Sequence, residues 1–408
     1  MTATPQRTLA VLGAGQDQSF LIRTARDMGL RTLAFDMDPD APGFKEADDH
    51  AVISTRDVGA VCEFLDGYGP TVSGVLTMGS DIPEAVAAVA AHLGLPGISA
   101  ETARVSSDKF AMKQRFADTG IPIPWFGEIS SADELERIVA ARGWDLVIKP
   151  VDRSGARGVF VLSEGCDLAD LYAKSKEFSY SGRVMAEAYL TGPQISTETV
   201  MCRGRGVTPG FVDRNYEHLE RFAPHVIENG GWLPSVLDAA ARSQVETLVE
   251  AASLALGVTD GVTKGDVVMT PDGPKMIEMA ARLSGGDFSE SLVPLGTGVN
   301  YVKTAIQIAL GDVPDFEALR PTLHQAVANR YFFPDAGRLL GISGADEVRA
   351  EDWVKKLAFW YQPGDQVPAP ISHAHRFGVF VVVAPDREEL ERRVAWVYGT
   401  IKIRIRGE

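Results

Sequence analysis

Within the stretch Gly257–Gly286, two acids are placed so that they could work together. Asp266 and Glu278 stand at the outer ends of two apolar runs, Asp266–Thr270 and Pro274–Glu278, joined by Pro271-Asp272-Gly273. Alternation around a short Pro/Asp/Gly turn marks a β-hairpin. Folding about Asp272 sets Asp266 opposite Glu278, with their Cβ atoms about 4.5–5.5 Å apart. Two carboxylates at that separation repel unless a cation lies between them, and a hard divalent ion with oxygen ligands suits the place. Val268 and Met276 are expected on the same face, so that the pair is partly desolvated. Arg282, four residues past Glu278, adds a fixed positive charge, and the Ser284-Gly285-Gly286 bend lets a ligand approach the backbone. The plainer reading is a hairpin with unpaired surface acids; a register slip of one residue would part the two carboxylates.

Other charges are arranged as an anion would need them. Lys109 falls in the first turn of a helix predicted over Ser106–Thr119, capped by Ser106 or Ser107, with Asp108 favouring the first turn. A cation there opposes the helix dipole, and is either solvated or holding a ligand anion. Lys149 ends an apolar strand, Asp145–Lys149, and the loop Asp152–Gly158 follows with Arg153, Ser154, Gly155, Arg157 and Gly158. Such a loop can wrap phosphate oxygens or be an ordinary basic turn; it is not a Walker loop, which needs GxxxxGK[ST] opening a helix. The segment 211–235 reads as irregular and polar, and carries Arg214 and Glu228. Long irregular segments in compact domains are usually functional or mobile. His373 and His375 share a face of an extended segment without a third metal ligand, and exposed loop histidines are the simpler account. Gly13-Ala14-Gly15 before a helix, with Asp36 beyond, invites a dinucleotide site, but the third glycine position is Gln18. A structural turn, or a small-substrate site at the helix N-terminus, fits better.

These residues need a frame. Apolar strands at Thr8–Gly13, Arg31–Phe35 and Val72–Leu76 alternate with helices at Ser19–Met28 and Pro83–Leu93, which implies a parallel sheet in a first domain of about a hundred residues. Further strands are expected at Val159–Leu162, Val184–Tyr189 and Ile195–Met201, with helices at Asp133–Ala141, Ala239–Leu256 and Asn300–Leu310. Beyond Pro321 the pattern turns antiparallel, with strands at Gln325–Phe333, Lys356–Tyr361, Phe377–Val383 and Ile401–Ile405 and a helix at Arg387–Tyr398. The chain has 408 residues, a formal net charge of −15 and three widely spaced cysteines. Such acidity disfavours nucleic acid and anionic membrane as partners. The cysteines suit neither a disulfide framework nor a zinc site. Residues 1–8 are polar, no apolar run reaches membrane-spanning length, and a cytoplasmic location is expected.

In order and spacing, a βα domain followed by Lys109, Lys149 with its glycine loop, Glu187, Asp266, Glu278 and Arg282 resembles the ATP-grasp superfamily of carboxylate–amine ligases. The likeness is to the branch with L-amino acid ligases, biotin carboxylase and glycinamide synthetases, and covers essentially the whole chain. It implies an α/β and α+β multidomain fold: a Rossmann-like domain (1–105), a lid (106–190), a core with the hairpin (191–318) and an antiparallel C-terminal domain (319–408). It implies ATP and Mg²⁺, or Mn²⁺, as cofactors. Lys109 and Lys149 match the lysines on the ATP phosphates, and Ser154, Gly155 and Gly158 the loop over them. Glu187, Ala188 and Leu190, in the run EAYL, match the adenine-reading strand, and Gln194 a ribose contact that is often glutamate. Asp266 and Glu278 match the metal ligands, and Arg282, with Lys149, the catalytic cations. Arg214, Glu228, Ser284 and Gly285 are expected to touch substrate, with Arg214 pairing a carboxylate and Glu228 an ammonium. The implied reaction joins a small carboxylate, amino-acid-like, to an amine through an acyl phosphate, in a chain that may form homodimers as its relatives often do. One departure stands out: where the family pattern is Glu-x-Asn-x-Arg, this chain has Glu278-Met279-Ala280-Ala281-Arg282. That leaves metal stoichiometry open and makes a non-catalytic ATP-binding module the alternative, with a carboxylase-type enzyme behind it.

Overall fold

The computed structural model describes residues 6–407; the first five of the polar residues 1–8 lie outside them. The N-terminal sheet is parallel, in the spatial order Asp49–Val52, Arg31–Asp36, Thr8–Leu12, Val72–Leu76. Its central strand TLAVL is buried along its whole length, as expected of a parallel strand covered on both faces. The edge strand Asp49–Val52 escaped the sequence reading because it is four residues long and half polar.

The expected caps of the helix carrying Lys109 are corrected. Ser106 and Ser107 close a separate helix, Ala100–Ser107, and the next helix, Lys109–Asp118, is capped by Asp108, whose side chain accepts from Ala111 N–H. The lid sheet has the order Phe126–Ile129, Val184–Ala188, Leu146–Pro150, Phe160–Val161, and the helices Ala132–Arg142 and Leu168–Phe178 supply Leu135, Val139 and Leu171 to its core.

An eight-stranded antiparallel sheet organises the rest. Its order is Gly273–Ala280, Gly261–Thr270, Gln194–Cys202, Arg205–Arg214, Gly231–Leu233, Ala326–Phe332, Gly378–Ala384, Val354–Phe359. One sheet therefore runs from the hairpin into the C-terminal part of the chain. The segment 211–235, expected to be irregular, contains the end of one strand, a short helix at Leu219–Phe222 and a three-residue strand. A bulge between Val207 and Gly210 and the brevity of Gly231–Leu233 hid this pattern. In the strand Gln194–Cys202 period two sorts the side chains. Ile195 and Met201 join Val245, Val249 and Leu256 of the long helix Ala239–Leu256 in one core. Ser196 and Glu198 turn to the opposite face, which is the floor of the site.

Candidate active site

The hairpin forms with the expected acid pair, although its turn closes one residue tighter than expected, with Thr270 opposite Gly273. Asp266 pairs with Glu278, and Asp266 also pairs with Ser196 on its other side. A bulge follows immediately, so that Val267 faces Met276. This corrects one expectation: Met276 is carried into the core under the long helix, and Ile277 lines the cavity with Val268 instead. The cavity, about 430 Å³, brings together every phosphate, adenine, ribose, metal, catalytic and substrate residue that the resemblance implied, except Gly158.

The two acids differ in their company. Asp266 Oδ1 accepts from Ser196 Oγ at 2.6 Å, and Oδ2 takes Arg214 Nη1 at 2.9 Å together with Lys264 Nζ. Burial pushes the Asp266 carboxyl up, but Arg214 and Lys264 outweigh it and hold the group well below the usual carboxylate range. Among the described residues Glu278 has only Lys109 Nζ within ion-pair distance, at 3.4 Å. Burial and Asp266 raise its carboxyl while Lys109 and Lys149 lower it, and the balance is downward. Among the described residues no group of three His, Cys, Asp or Glu side chains is placed to hold a metal. The pair fits a Mg²⁺-like ion that takes its other ligands from phosphate and water.

Around them stand the cations. Arg282 grips Asp81, with Nε and Nη2 at 2.8 and 2.7 Å from the same oxygen. Lys149 Nζ lies 3.0 Å from Glu187 Oε1, and Lys113 Nζ 2.6 Å from Oε2 at an angle outside hydrogen-bond geometry. Lys113 also donates to the Met276 carbonyl at 3.0 Å. Burial pushes Lys113 down to about 8, with Glu187 opposing the fall. Glu187 was expected to help read adenine; here its carboxylate is held between two lysines. In the same run Ala188 N–H donates to the Trp125 carbonyl at 2.9 Å, while Ala188, Leu190 and Gln194 line the cavity.

The glycine loop arches over the cations. Asp152 anchors it by accepting from Tyr180 N–H and Ser181 N–H, and Arg153 lies over the Tyr180 ring. Gly155 and Gly158 have φ of +66° and +71°. The Gly155 carbonyl accepts from His373 N–H at 3.1 Å, so the loop rests on the C-terminal part of the chain. Gly158 is set back from the cavity, where an added Cβ would lie 2.9 Å from both Phe178 Cβ and Pro150 Cγ. Gly158→Ala should therefore destabilise the protein by about 1–3 kcal/mol, from strain at positive φ and the clash together. A shifted urea midpoint would show it, and an unchanged midpoint would mean that the loop has room to move.

At the other end the expected substrate residues bind each other. Arg214 Nε donates to Glu228 Oε2 at 2.6 Å, so neither is free for a separate substrate group as placed here. Arg376 donates to the Glu228 carbonyl at 2.7 Å and stacks 3.8 Å over Tyr331. His373 is drawn inward, its Nε2 accepting from Glu228 N–H at 3.3 Å; burial, with Arg376 and Arg214, holds it well below the ordinary imidazole value. This removes it as an exposed loop histidine. The Gly285-Gly286 bend is held by Asn329, whose Nδ2 donates to the Gly286 carbonyl at 3.0 Å, and by Asp17, which accepts from Gly286 N–H at 3.2 Å. An added Cβ at Gly285 would lie 2.1 Å from Asp17 Oδ2. Ser284 Oγ is buried and turned toward Glu198. The first glycine turn is a structural one: Gln18 fills it by donating to the Met78 carbonyl, and Asp36 caps Ala14 N–H at 2.8 Å.

Sequence reasoning missed Lys113, Lys264, Asp81, Asp17 and Arg376. Lys113 is one helical turn from Lys109, and Lys264 two strand positions from Asp266, so simple periodicity points to both. Asp17 and Asp81 follow the C-terminal ends of parallel strands, where open α/β sheets bind ligands. Arg376 has no local signal. Glu198 is fully buried on the floor beside the Ser284 and Tyr301 hydroxyls, and burial outweighs these and the cations Lys264 and Arg282, pushing it from 4.5 up to about 7. A raised acid favours the folded state most below pH 4.5 and loses that contribution as pH rises to about 7. Relative to Glu198→Gln, the wild type should lose roughly 3 kcal/mol over that window. Denaturation curves that run parallel across pH would rule this out.

The fold and site define a clasp: a small sheet and the floor of the large one face each other across a cavity lined by lysines, arginines and two facing acids. A family model described as ATP-grasp domain matches residues 106–286, and one described as L-amino acid ligase C-terminal domain 2 matches residues 330–406. The chain thus carries an ATP-grasp domain followed by a C-terminal domain of the L-amino acid ligase type. An uncharacterised protein of Sinorhizobium fredii is 25% identical over 327 residues, 78% of this chain and 66% of that protein. Dapdiamide A synthase of Enterobacter agglomerans is 22% identical over 306 residues, 72% of this chain and 71% of that protein. The matches thus span about two thirds of these relatives' own length. The crystal structure of L-amino acid ligase from Bacillus licheniformis superposes with a TM-score of 0.85 at 21% identity, covering 99% of this chain and all (100%) of that one, a likeness of fold. Among the described residues no helix is long and apolar enough to cross a membrane.

Proposed function

We propose that this chain joins a small carboxylate to an amine with cleavage of ATP to ADP and phosphate, the γ-phosphoryl passing to the carboxylate as an acyl phosphate and leaving as phosphate when the amine attacks. A carboxylate is a poor electrophile; phosphorylation gives it a leaving group that an amine can displace. The observation that carries the reading is the direct pairing of Asp266 with Glu278 beneath Lys109, Lys149 and Arg282. Asp266 and Glu278 would hold Mg²⁺, which when bound supplies charge neutralisation to the phosphate oxygens. Lys109 and Lys149 bind the phosphates and Arg282 faces the transferred group, so that the chain contributes position and charge. Ser154 and Gly155, in a loop resting on His373, shield the reactive intermediate from water. Leu190 and Gln194 take the nucleoside end of the cavity. For the carboxylate and amine to bind, the Arg214–Glu228 pair opens or is bridged, each member taking a substrate charge of opposite sign. An amino-acid-like substrate follows from that polarity and from the relatives.

The test follows phosphate and ADP release with ATP and Mg²⁺ across pairs of amino acids, with mass spectrometry of the amide. Release that requires both a carboxylate and an amine is the expected result. Tight ATP binding without turnover on any pair would favour the non-catalytic reading that Ala280 motivates.

A further inference from the structure

The floor of the site is a ladder of cross-strand rows. One row is Ser196, Asp266 and Glu278; the next is Glu198, Lys264 and Ala280. Residues two apart in a strand share a face, so the second row lies beside the first on the cavity side. Ala280 brings no donor atom to its row. Its neighbour Lys264 reaches the other way, placing Nζ on Asp266 Oδ2. Arg214 Nη1 sits on the same oxygen at 2.9 Å, and Ser196 Oγ donates to Oδ1 at 2.6 Å. A carboxylate offers about four lone-pair directions, and three of those of Asp266 are in use. Glu278, with one lysine at 3.4 Å, is far less engaged. Lys264 is itself largely buried, and the fully buried Glu198 is its row neighbour.

We propose that Lys264 is a built-in cation standing on the Ala280 side of Asp266 where a second divalent ion would otherwise go, so that the site takes one divalent ion per chain. The inference rests on the ligase reading above, in that it assumes a nucleotide–metal complex in this cavity. Its physical basis is local. An ion on the far side of Asp266 would meet the ammonium of Lys264 and the guanidinium of Arg214 at close range, with no free oxygen from position 280. An ion between Asp266 and Glu278 meets one remaining direction on Asp266 and the lightly held Glu278. Lys264 then does for the phosphate charge what a second ion would do, without needing to be bound from solution.

Counting Mn²⁺ by the loss of its free electron paramagnetic resonance signal tests this on the full chain, with ADP kept below the protein concentration. The wild type is expected to hold one Mn²⁺ per nucleotide complex. Lys264→Met combined with Ala280→Asn, which clears the place and adds a donor, is expected to hold two, whereas Lys264→Arg should stay at one. Two ions in the wild type would overturn the inference and leave the ligase reading intact. One ion in a correctly folded double variant would overturn the role of Lys264. No nucleotide-dependent Mn²⁺ at all would overturn the nucleotide reading and this inference with it. The wild-type count decides the stoichiometry even where the double variant fails to fold.

Discussion

Glu278→Gln is expected to abolish ADP release that depends on a carboxylate and an amine, by about 1,000-fold or more, while the protein stays folded. The change is nearly isosteric and removes a single charge. Losing one preorganised charge-stabilising group typically costs about 100- to 1,000-fold in kcat, and Glu278 governs the placement of a whole ion. A carboxamide oxygen is a weaker ligand for a hard cation than a carboxylate, and Asp266 cannot compensate, because Ser196, Arg214 and Lys264 already surround it. Stability should not fall with activity. Asp266 raises the Glu278 carboxyl by repulsion, so neutralising Glu278 relieves that repulsion, at the expense of a lysine contact of 3.4 Å. The measurement is paired: turnover by phosphate release, and the urea midpoint of the same preparation. Turnover within a few-fold of wild type would remove Glu278 from the metal site, and a collapsed midpoint would make the loss of activity uninformative.

Much of this site was legible because its chemistry sits on regular elements. The Asp266–Glu278 pairing was expected from a turn centred on Asp272, and the structure has that pair, but by another route: the turn closes one residue tighter, with Thr270 opposite Gly273, and the bulge after Asp266 restores the pairing. What periodicity could not supply was the bulge after Asp266, which exchanges Met276 for Ile277 at the cavity wall. A bulge is one extra residue in one strand, and Ile277 carries no local mark of it. Ser106 and Ser107 were good caps by type, yet Asp108 has the position, since the chain turns between two helices there. The partners of the site residues were less legible than the residues. Arg214 and Glu228 were both found, but not that they bind each other, because that contact depends on where the strands Arg205–Arg214 and Gly231–Leu233 fall in an eight-stranded sheet. Arg376 and His373 reach the cavity from beyond residue 330, by tertiary placement alone.

Lys113→Met should destabilise the fold by about 3–5 kcal/mol, the usual result of removing one partner from a buried ion pair. Lys113 is fully buried, and its ammonium meets Glu187 Oε2 and the Met276 carbonyl. It thereby joins three elements: its own helix, the strand Val184–Ala188, and the second arm of the Asp266–Glu278 hairpin. Methionine matches its length without its charge, so the loss is electrostatic rather than a cavity. Glu187 would keep Lys149 at 3.0 Å, but one cation would then serve a carboxylate whose burial opposes ionisation. Lys149 would be drawn more firmly to Glu187 and away from any phosphate, so ATP affinity should fall along with stability. The double variant Lys113→Met/Glu187→Gln separates the two causes. With no unpaired charge left, most of the lost stability should return, whereas Lys113→Met with Glu187 intact stays low. A loss under about 1 kcal/mol in the single variant, within the range of an exposed pair, would mean that Lys149 alone neutralises Glu187. Lys113 would then be a tether to the hairpin through Met276, and the burial of a third lysine beside Lys109 and Lys149 would need a different explanation from charge.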